Sequence, residues 1–463
     1  MERNTCIAMV PCPGLSHLIQ FVEFSKQLVL YHQNLNITFF IPTLGPPAPS
    51  IKALLTTLPP NITFTILPQI NMQDLPNNIL LATQMKLTVK HSLPFLHQEI
   101  TSLTSRTHLA AFICDFFSSD ALQIAKDFNL SSYFCTSSAT SLSFCFSLPK
   151  LHHNLTSEFI TDSLQTVDFP GCGVPLNVKD LADPVLLGRS TQTYKSFLNA
   201  CESLSSADGL IVNSFTELEA EAIGAMNMNS TFVYPIGPLI QTESTNQLNE
   251  SECMRWLENQ PPKSVLFVSF GSGGTLSHKQ LSELALGLEM SRHKFLWVVR
   301  VPSQASSSAY FSGQKDDPFE YLPRGFLDRT KGKGLVVPLW APQVDILGHV
   351  STGGFLTHCG WSSILEGVVN GVPMIAWPLF AEQRMNAAML ANVLEVAVRP
   401  KIDESDVVRR EEVARVIKMV MEGNESLQMR KRIESFSAEA ANALSEHGSS
   451  KKVLSSLVMK WQS

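Results

Sequence analysis

Short apolar runs, each followed by a stretch of helical periodicity, recur through the whole of this 463-residue chain. CIAMV (Cys6 to Val10) and LNITFFI (Leu35 to Ile41) are the first two, and between them Phe21, Phe24 and Leu28 recur at helical spacing. AAFICD (Ala110 to Asp115), SSYFC (Ser131 to Cys135) and GLIVNSF (Gly209 to Phe215) continue the series. Strands apolar on both faces, separated by helices, can satisfy burial in few ways. They predict a parallel sheet covered by helices on both sides.

From Gly237 to Ser251 the composition turns polar and breaker-rich (GPLIQTESTNQLNES), as an interdomain linker would. The pattern then restarts with SVLFVSF (Ser264 to Phe270), a glycine loop, and a helix that places Leu281, Leu284, Ala285 and Leu288 on one face. Ser277 and Gln280 have the spacing of a capping box for that helix. FLWVV, GLVVPL, GGFLTH and PMIAW supply further strands. The expected fold is α/β, with two doubly wound, Rossmann-like domains facing each other across a cleft. Their bounds are expected at 1–240 and 254–434, joined by a linker at 241–253. The amphipathic segment from Ser435 to Trp461 is expected as a C-terminal helix, within 435–463, that returns to pack on the first domain.

With 44% hydrophobic and 16% charged residues the chain can build a sizeable core. A formal net charge of -6, with Lys and Arg scattered, argues against nucleic acid or an anionic membrane as partner. The opening MERNTCIAMVPCPG lacks the regions of a signal peptide, and no apolar run reaches membrane-spanning length. Nine dispersed cysteines without a C-x-x-C read as buried free thiols of a reducing cytosol. Sequons such as Asn61-Ile62-Thr63 and Asn154-Leu155-Thr156 carry little meaning without a secretory route. A cytoplasmic monomer is expected.

Ligands of doubly wound sheets sit at the carboxyl ends of the strands, and four candidate positions lie there. His17 follows the first strand and suits proton abstraction from a hydroxyl near neutral pH; it equally suits a helix start bonded to nearby backbone. Asp115 ends AAFICD, where it could orient an imidazole or cap the next helix. Gly271-Ser272-Gly273-Gly274-Thr275 lets backbone approach a diphosphate, with the next helix N-terminus favouring its oxygens, although it has neither the G-x-G-x-x-G spacing nor a P-loop lysine. His358-Cys359-Gly360-Trp361-Ser362-Ser363 follows GGFLT, and Ser363 with Glu366 fits a capping box at the start of a helix. Adjacent His358 and Cys359, with no second pair at ligand spacing, do not make a metal site.

The stretch from Trp340 to Gln383, WAPQVDILGHVSTGGFLTHCGWSSILEGVVNGVPMIAWPLFAEQ, closely resembles the plant secondary-product glycosyltransferase box of plant family 1 UDP-glycosyltransferases. The surroundings of His17, the Asp115 strand and YPIGPL (Tyr234 to Leu239) are similar to that family too. VSFGSGGTLS (Val268 to Ser277) and DPFEYLPRGFLDRT (Asp317 to Thr330) are most similar to its hydroquinone glucosyltransferase (arbutin synthase) subgroup, which acts on small phenols and monolignols. The resemblance implies a GT-B fold and a UDP-sugar donor. It further implies that Trp340 stacks on uracil, that the Ala341 backbone reads its edge, and that Gln343 and Glu366 hold the ribose. His358, Ser363, the backbone near Trp361 and Ser272 would hold the phosphates, and Glu382 with Gln383 the sugar hydroxyls. A terminal Gln is usual for glucose. Where the family commonly has Asn after HCGW, this chain has Ser362, which predicts a phosphate contact weaker by about 0.5–1.5 kcal/mol.

The expected activity is inverting, metal-independent transfer of glucose from UDP-glucose, a co-substrate rather than a cofactor, to a small aromatic acceptor. His17 would be the base and Asp115 its orienter, with Phe116, Phe117, Phe144 and Phe146 as candidate walls of the acceptor pocket or as ordinary core. Transfer to nitrogen, sulfur or another acceptor atom, and a non-catalytic sugar-nucleotide-binding protein, are the alternatives. A nicotinamide oxidoreductase would share the sheets but should carry G-x-G-x-x-G, which neither half does.

Overall fold

The apolar runs are strands, and burial on both faces is met by two parallel sheets in a computed structural model that describes residues 5–70, 80–154, 158, 165–228, 232–241, 247–306 and 316–462. The chain divides into two units: one of Met1–Val178, Pro184–Gln241 and Asn442–Ser463, the other of Lys179–Asp183 and Thr242–Ala441.

In the first unit the strands are β1 (Thr5–Val10), β2 (Leu35–Ile41), β3 (Ile62–Ile66), β4 (His108–Asp115) and β5 (Ser131–Thr136). A separate two-stranded antiparallel sheet is formed by β6 (Thr166–Val167) and β7 (Leu176–Asn177); β8 (Gly209–Val212) and β9 (Val233–Pro235) then rejoin the main sheet. Its order is β3-β2-β1-β4-β5-β8-β9, parallel throughout. Phe21, Phe24 and Leu28 of the helix Leu15–Tyr31 close one face, together with Ile7, Ile37 and Phe39 of the sheet.

The second unit repeats the plan with β10 (Val265–Ser269), β11 (Lys294–Val299), β12 (Gly334–Pro338), β13 (Thr352–Thr357), β14 (Met374–Ala376) and β15 (Ala397–Val398). The order is β12-β11-β10-β13-β14-β15. Leu281, Leu284, Ala285 and Leu288 of the helix His278–Ser291 are all buried in its core. Both orders reverse direction once, between β1 and β4 and between β10 and β13, which is where doubly wound sheets bind ligands.

Several expectations change. The strand at Gly209 stops at Val212, because Asn213 turns to exchange hydrogen bonds with the Leu239 backbone (2.7 and 2.9 Å). Ser277 does cap its helix, accepting from the Gln280 amide at 3.2 Å, but the Gln280 side chain bonds both backbone groups of Val408 instead of closing the box. Residues 247–253, expected as linker, belong to the helix Gln247–Glu258, and 242–246 lie outside the described residues, as do Leu155 and Thr156 of the second sequon. The boundary expected at 434/435 falls inside the helix Gly423–Ala443, and a break separates that helix from Ser449–Gln462. Gly448 marks the break; a Cβ there would meet the Ala443 and Asn442 carbonyls at 2.2 Å.

The last helix completes the first core. Leu454, Leu457, Val458 and Trp461 are buried in it, and Trp461 meets Tyr133 edge-on at 5.6 Å. Leu457→Ala should therefore lower stability by about 2–5 kcal/mol. Met459→Ala, at an exposed position of the same helix, should change it by less than about 0.5 kcal/mol. Thermal unfolding of both variants beside the parent checks the assignment.

Candidate active site

The chain leaves β1 at Val10 and enters the helix Leu15–Tyr31 through Pro11-Cys12-Pro13-Gly14, with Gly14 as N-cap at φ 134°. His17 thus stands in the first helical turn. Val10 pairs with Cys114 across the switch point, which sets Asp115, the last residue of β4, beside that turn. His17 Nδ1 lies 2.8 Å from Asp115 Oδ2. The other carboxylate oxygen, Oδ1, accepts the Phe117 amide at 2.8 Å and caps the 3-10 helix Phe116–Ala121. The two roles open to Asp115 are therefore filled at once, one by each oxygen. Its side chain is 6% exposed against 27% for His17, so the carboxylate is held in the protein while the imidazole reaches the surface. Such a pair fixes the tautomer of the ring and stabilises the imidazolium that a proton transfer would form.

Cys12 joins them: its Sγ, a His17 ring nitrogen and an Asp115 oxygen all lie within 4.8 Å of one another, the one such group of potential metal ligands among the described residues. Burial, then the neighbouring Asp115 charge, raise the Cys12 thiol well above its ordinary value. A neutral thiol is a poor ligand, and His17 Nδ1 already holds Asp115, so proton transfer suits this group better than metal binding. Nothing in the sequence spacing singled out Cys12.

A narrow recess in the same unit is lined by Thr83, Lys86, Phe117, Pro184, Phe197 and their neighbours. Phe117 also meets the His17 ring edge-on at 5.9 Å, and Phe116 backs both Phe117 (5.3 Å) and Phe197 (5.8 Å). Phe144 is 1% exposed and packs edge-on against Phe169 at 5.4 Å; it is core, and neither it nor Phe146 lines the recess. Phe197 lines it beside Phe117. Only the fold brings the helix Gln192–Ser203 to Phe116, so periodicity could not find it.

In the second unit, Ser269 pairs with Thr357, so the glycine loop after β10 and His358 after β13 are neighbours. A Cβ on Gly271 (φ +70°) would stand 2.5 Å from His358 Cε1, and one on Gly360 2.4 Å from Nε2. The ring is clamped between two backbone segments that only glycine permits. His358 keeps a partly exposed edge, yet Nδ1 is buried without a hydrogen-bond partner. Burial, and then the charge of Arg300, push its pKa down to about 4. It is a neutral imidazole near pH 7 and can meet an anion as a hydrogen-bond donor. Arg300 directly follows β11 and lines a recess with Phe270, Gly274 and Thr275; burial lowers it to about 10, still charged at neutral pH. Its place just beyond FLWVV, at a strand's carboxyl end, is the sequence signal that marks it.

The helix after β13 begins at Trp361 with Gly360 as N-cap and no side-chain cap. Ser363 and Glu366 are thus internal and form no capping box. Both accept from Gln343 Nε2 instead, at 2.8 Å to Ser363 Oγ and 2.6 Å to Glu366 Oε2. With no side chain capping it, the N-terminus of that helix is one that favours an anion. By contrast, the helix after the glycine loop starts only at His278 and carries its own Ser277 cap, so its N-terminus contributes less than expected. The Glu366 carboxyl sits deep among protein atoms although the residue keeps an open edge; burial raises it, against the pull of Gln343, to about 7. Trp340 is partly exposed after β12, Ala341 and Trp361 are buried, and Ser272 is exposed. Ser362 is partly exposed beside buried Ser363, and Glu382 beside Gln383, which is 4% exposed.

The chain is similar to known proteins over its whole length. Residues 199–430 match the family model described as UDP-glucoronosyl and UDP-glucosyl transferase. Hydroquinone glucosyltransferase of Rauvolfia serpentina is 47% identical, over 100% of this chain and 99% of that protein. The structure of Phytolacca americana UGT2 complexed with UDP-2fluoro-glucose and pterostilbene superposes with a TM-score of 0.90 at 41% identity, covering 100% of both chains. A UDP-glucosyltransferase from Polygonum tinctorium capable of glucosylating indoxyl, in complex with 3,4-dichloroaniline, gives 0.92 at 41% identity and the same coverage.

The clamp on His358 is directly testable. Gly271→Ala forces an L-residue into the left-handed region, costing about 1–2 kcal/mol, and drives its methyl into the ring. Gly332→Ala meets the same backbone penalty (φ +79°) with nothing within 4 Å. Thermal unfolding should show Gly271→Ala as clearly the more destabilised of the two.

Proposed function

The chain belongs to the plant family 1 UDP-glycosyltransferases, and from that premise we propose that it transfers glucose from UDP-glucose to the hydroxyl of a small phenol or related aromatic, with inversion and without a metal, giving a β-glucoside. The observation that carries the proposal is the 2.8 Å contact of His17 with the buried Asp115. A protein that only bound sugar nucleotides would have no use for an oriented imidazole at a switch point.

With Nδ1 turned to Asp115, the acceptor proton goes to Nε2 of His17. The phenolic oxygen attacks the anomeric carbon from the face opposite UDP, the C1–O bond to the diphosphate breaks, and UDP leaves with the bonding pair. The charge gathering on the diphosphate is met by the uncapped helix at Trp361, by Ser363 and by neutral His358 as a donor, with the Arg300 charge behind it. Gln343 and Glu366 receive the ribose, Trp340 and the Ala341 backbone the uracil, and Glu382 with Gln383 the sugar. Phe117 and Phe197 flank the recess offered to the aromatic acceptor. Nine free, buried cysteines suit a reducing cytoplasm. Relatives of the chain are named for glucosylating hydroquinone and indoxyl, and one is complexed with an aniline; an amine therefore belongs in the acceptor panel as the second reading.

UDP release from UDP-glucose, measured with and without hydroquinone, coniferyl alcohol and an aniline, tests the proposal. Phenol-dependent release with a glucoside of matching mass supports it; UDP-glucose binding with no release for any acceptor defeats it. His17→Ala should lower transfer by about 10²–10⁴-fold with UDP affinity essentially retained. The Glu366 carboxyl yields a pH dependence. Ribose hydroxyls donate to the ionised form, whose share rises from about a tenth at pH 6 to about nine-tenths at pH 8, so UDP should bind up to about tenfold more tightly at pH 8. UDP's terminal phosphate also titrates near pH 6. The difference between parent and Glu366→Gln isolates the side chain.

A further inference from the structure

The donor-site loop from Pro378 to Arg384 contains a backbone conformation its sequence does not favour. Ala381 has φ +59°, in the left-handed region that a side chain with a Cβ adopts only when its surroundings hold it there. Glu382 and Gln383 follow immediately, so the direction in which each leaves the loop depends on that torsion.

Both flanks of Ala381 are held. On one, Gln383 Oε1 accepts the Leu379 and Phe380 amides at 2.9 and 3.0 Å, which leaves its NH₂ as the end for a ligand. On the other stands Asp183, brought in by the short segment Lys179–Asp183 that belongs to this unit although it lies far earlier in the chain. Asp183 Oδ2 accepts the Ala381 amide at 2.7 Å, the Asp183 amide donates to the Ala381 carbonyl at 3.1 Å, and Oδ1 pairs with Arg384. Asp180 fastens the same segment to Arg399 at 2.7 Å. Asp183 thus grips both backbone polar groups of the one strained residue, and its ion partner is the residue just after Gln383.

We infer that Asp183 is a positioning residue for the sugar end of the donor: by clamping Ala381 in the left-handed conformation it aims Glu382 and Gln383 at the hexose hydroxyls. This rests on the reading above that those two residues hold the sugar. Asp183 touches no substrate, and its loss should be felt by the hexose and not by the nucleotide. A merely structural ion pair would weaken both alike.

The test titrates UDP and UDP-glucose into the full-length protein by calorimetry, with KM for UDP-glucose measured in parallel. Asp183→Ala should raise both the dissociation constant and KM for UDP-glucose by about tenfold while leaving that for UDP within about twofold. Ala381→Gly, added to Asp183→Ala, should restore part of the loss, because glycine adopts the left-handed conformation unaided. Equal weakening of UDP and UDP-glucose, or no recovery from the glycine, would overturn the assignment. If Asp183→Ala does not fold, Asp183→Asn retains an acceptor for the Ala381 amide and removes the negative charge that pairs with Arg384. It should shift the UDP-glucose to UDP ratio in the same direction by less, and an unchanged ratio would overturn the assignment. Glu382→Ala is the control on the underlying reading: an unchanged ratio there would show that the pair does not hold the sugar, and would sink both.

Discussion

The reversal of strand order between neighbouring parallel strands is the constraint on which the candidate groups of each unit depend. Where β1 lies against β4, and β10 against β13, the connections that follow depart toward different sides of the sheet, so a gap opens above the strand ends. Every strand within such a sheet is paired, so the gap is the place where loops can present side chains and free amides without leaving backbone groups unsatisfied. His17 and Asp115 flank the first gap, and Gly271 and His358 the second.

Charge inside these gaps is controlled by burial and by who shares a hydrogen bond with whom. Asp115 keeps both oxygens occupied, one on the imidazole and one on an amide. His358 is kept neutral by its surroundings, Arg300 carries the positive charge nearby, and Glu366 is drawn toward neutrality. In the reaction proposed above, donors already in place at the second gap are the arrangement that favours charge build-up on a leaving group. The glycines around His358 and the left-handed Ala381 are the backbone side of the same design: close approach and local strain are tolerated where ligand geometry depends on them.

Much of this was legible along the chain because it is local. Apolar runs flanked by helical periodicity are strands, although the one from Gly209 ends early, and chemically capable side chains at or just beyond their ends, His17, Asp115 and His358, stand there for the same reason. What failed was pairwise. Ser363 and Glu366 have capping-box spacing, yet Gly360 starts the helix and Gln343 claims both side chains. Phe144 has the character of a pocket wall but points into the core, whereas Phe197 reaches the recess from another helix. Cys12 and Arg300 were passed over because their significance lies in which neighbours their strand ends acquire.

The amino-acid sequence by itself determined the alternation of strand and helix, the placing of polar groups at strand ends and, through the box from Trp340 to Gln383, the family. These follow from short-range periodicity and from motifs whose members are close together in the chain. The tertiary structure alone decided that Asp115 serves His17 and the Phe117 amide simultaneously, that the last helix fills the first core, and that Asp183 clamps a loop nearly two hundred residues away, the span separating it from Ala381. Each is a contact between distant segments, set by strand order and packing, and no local pattern encodes which distant partner a side chain will meet.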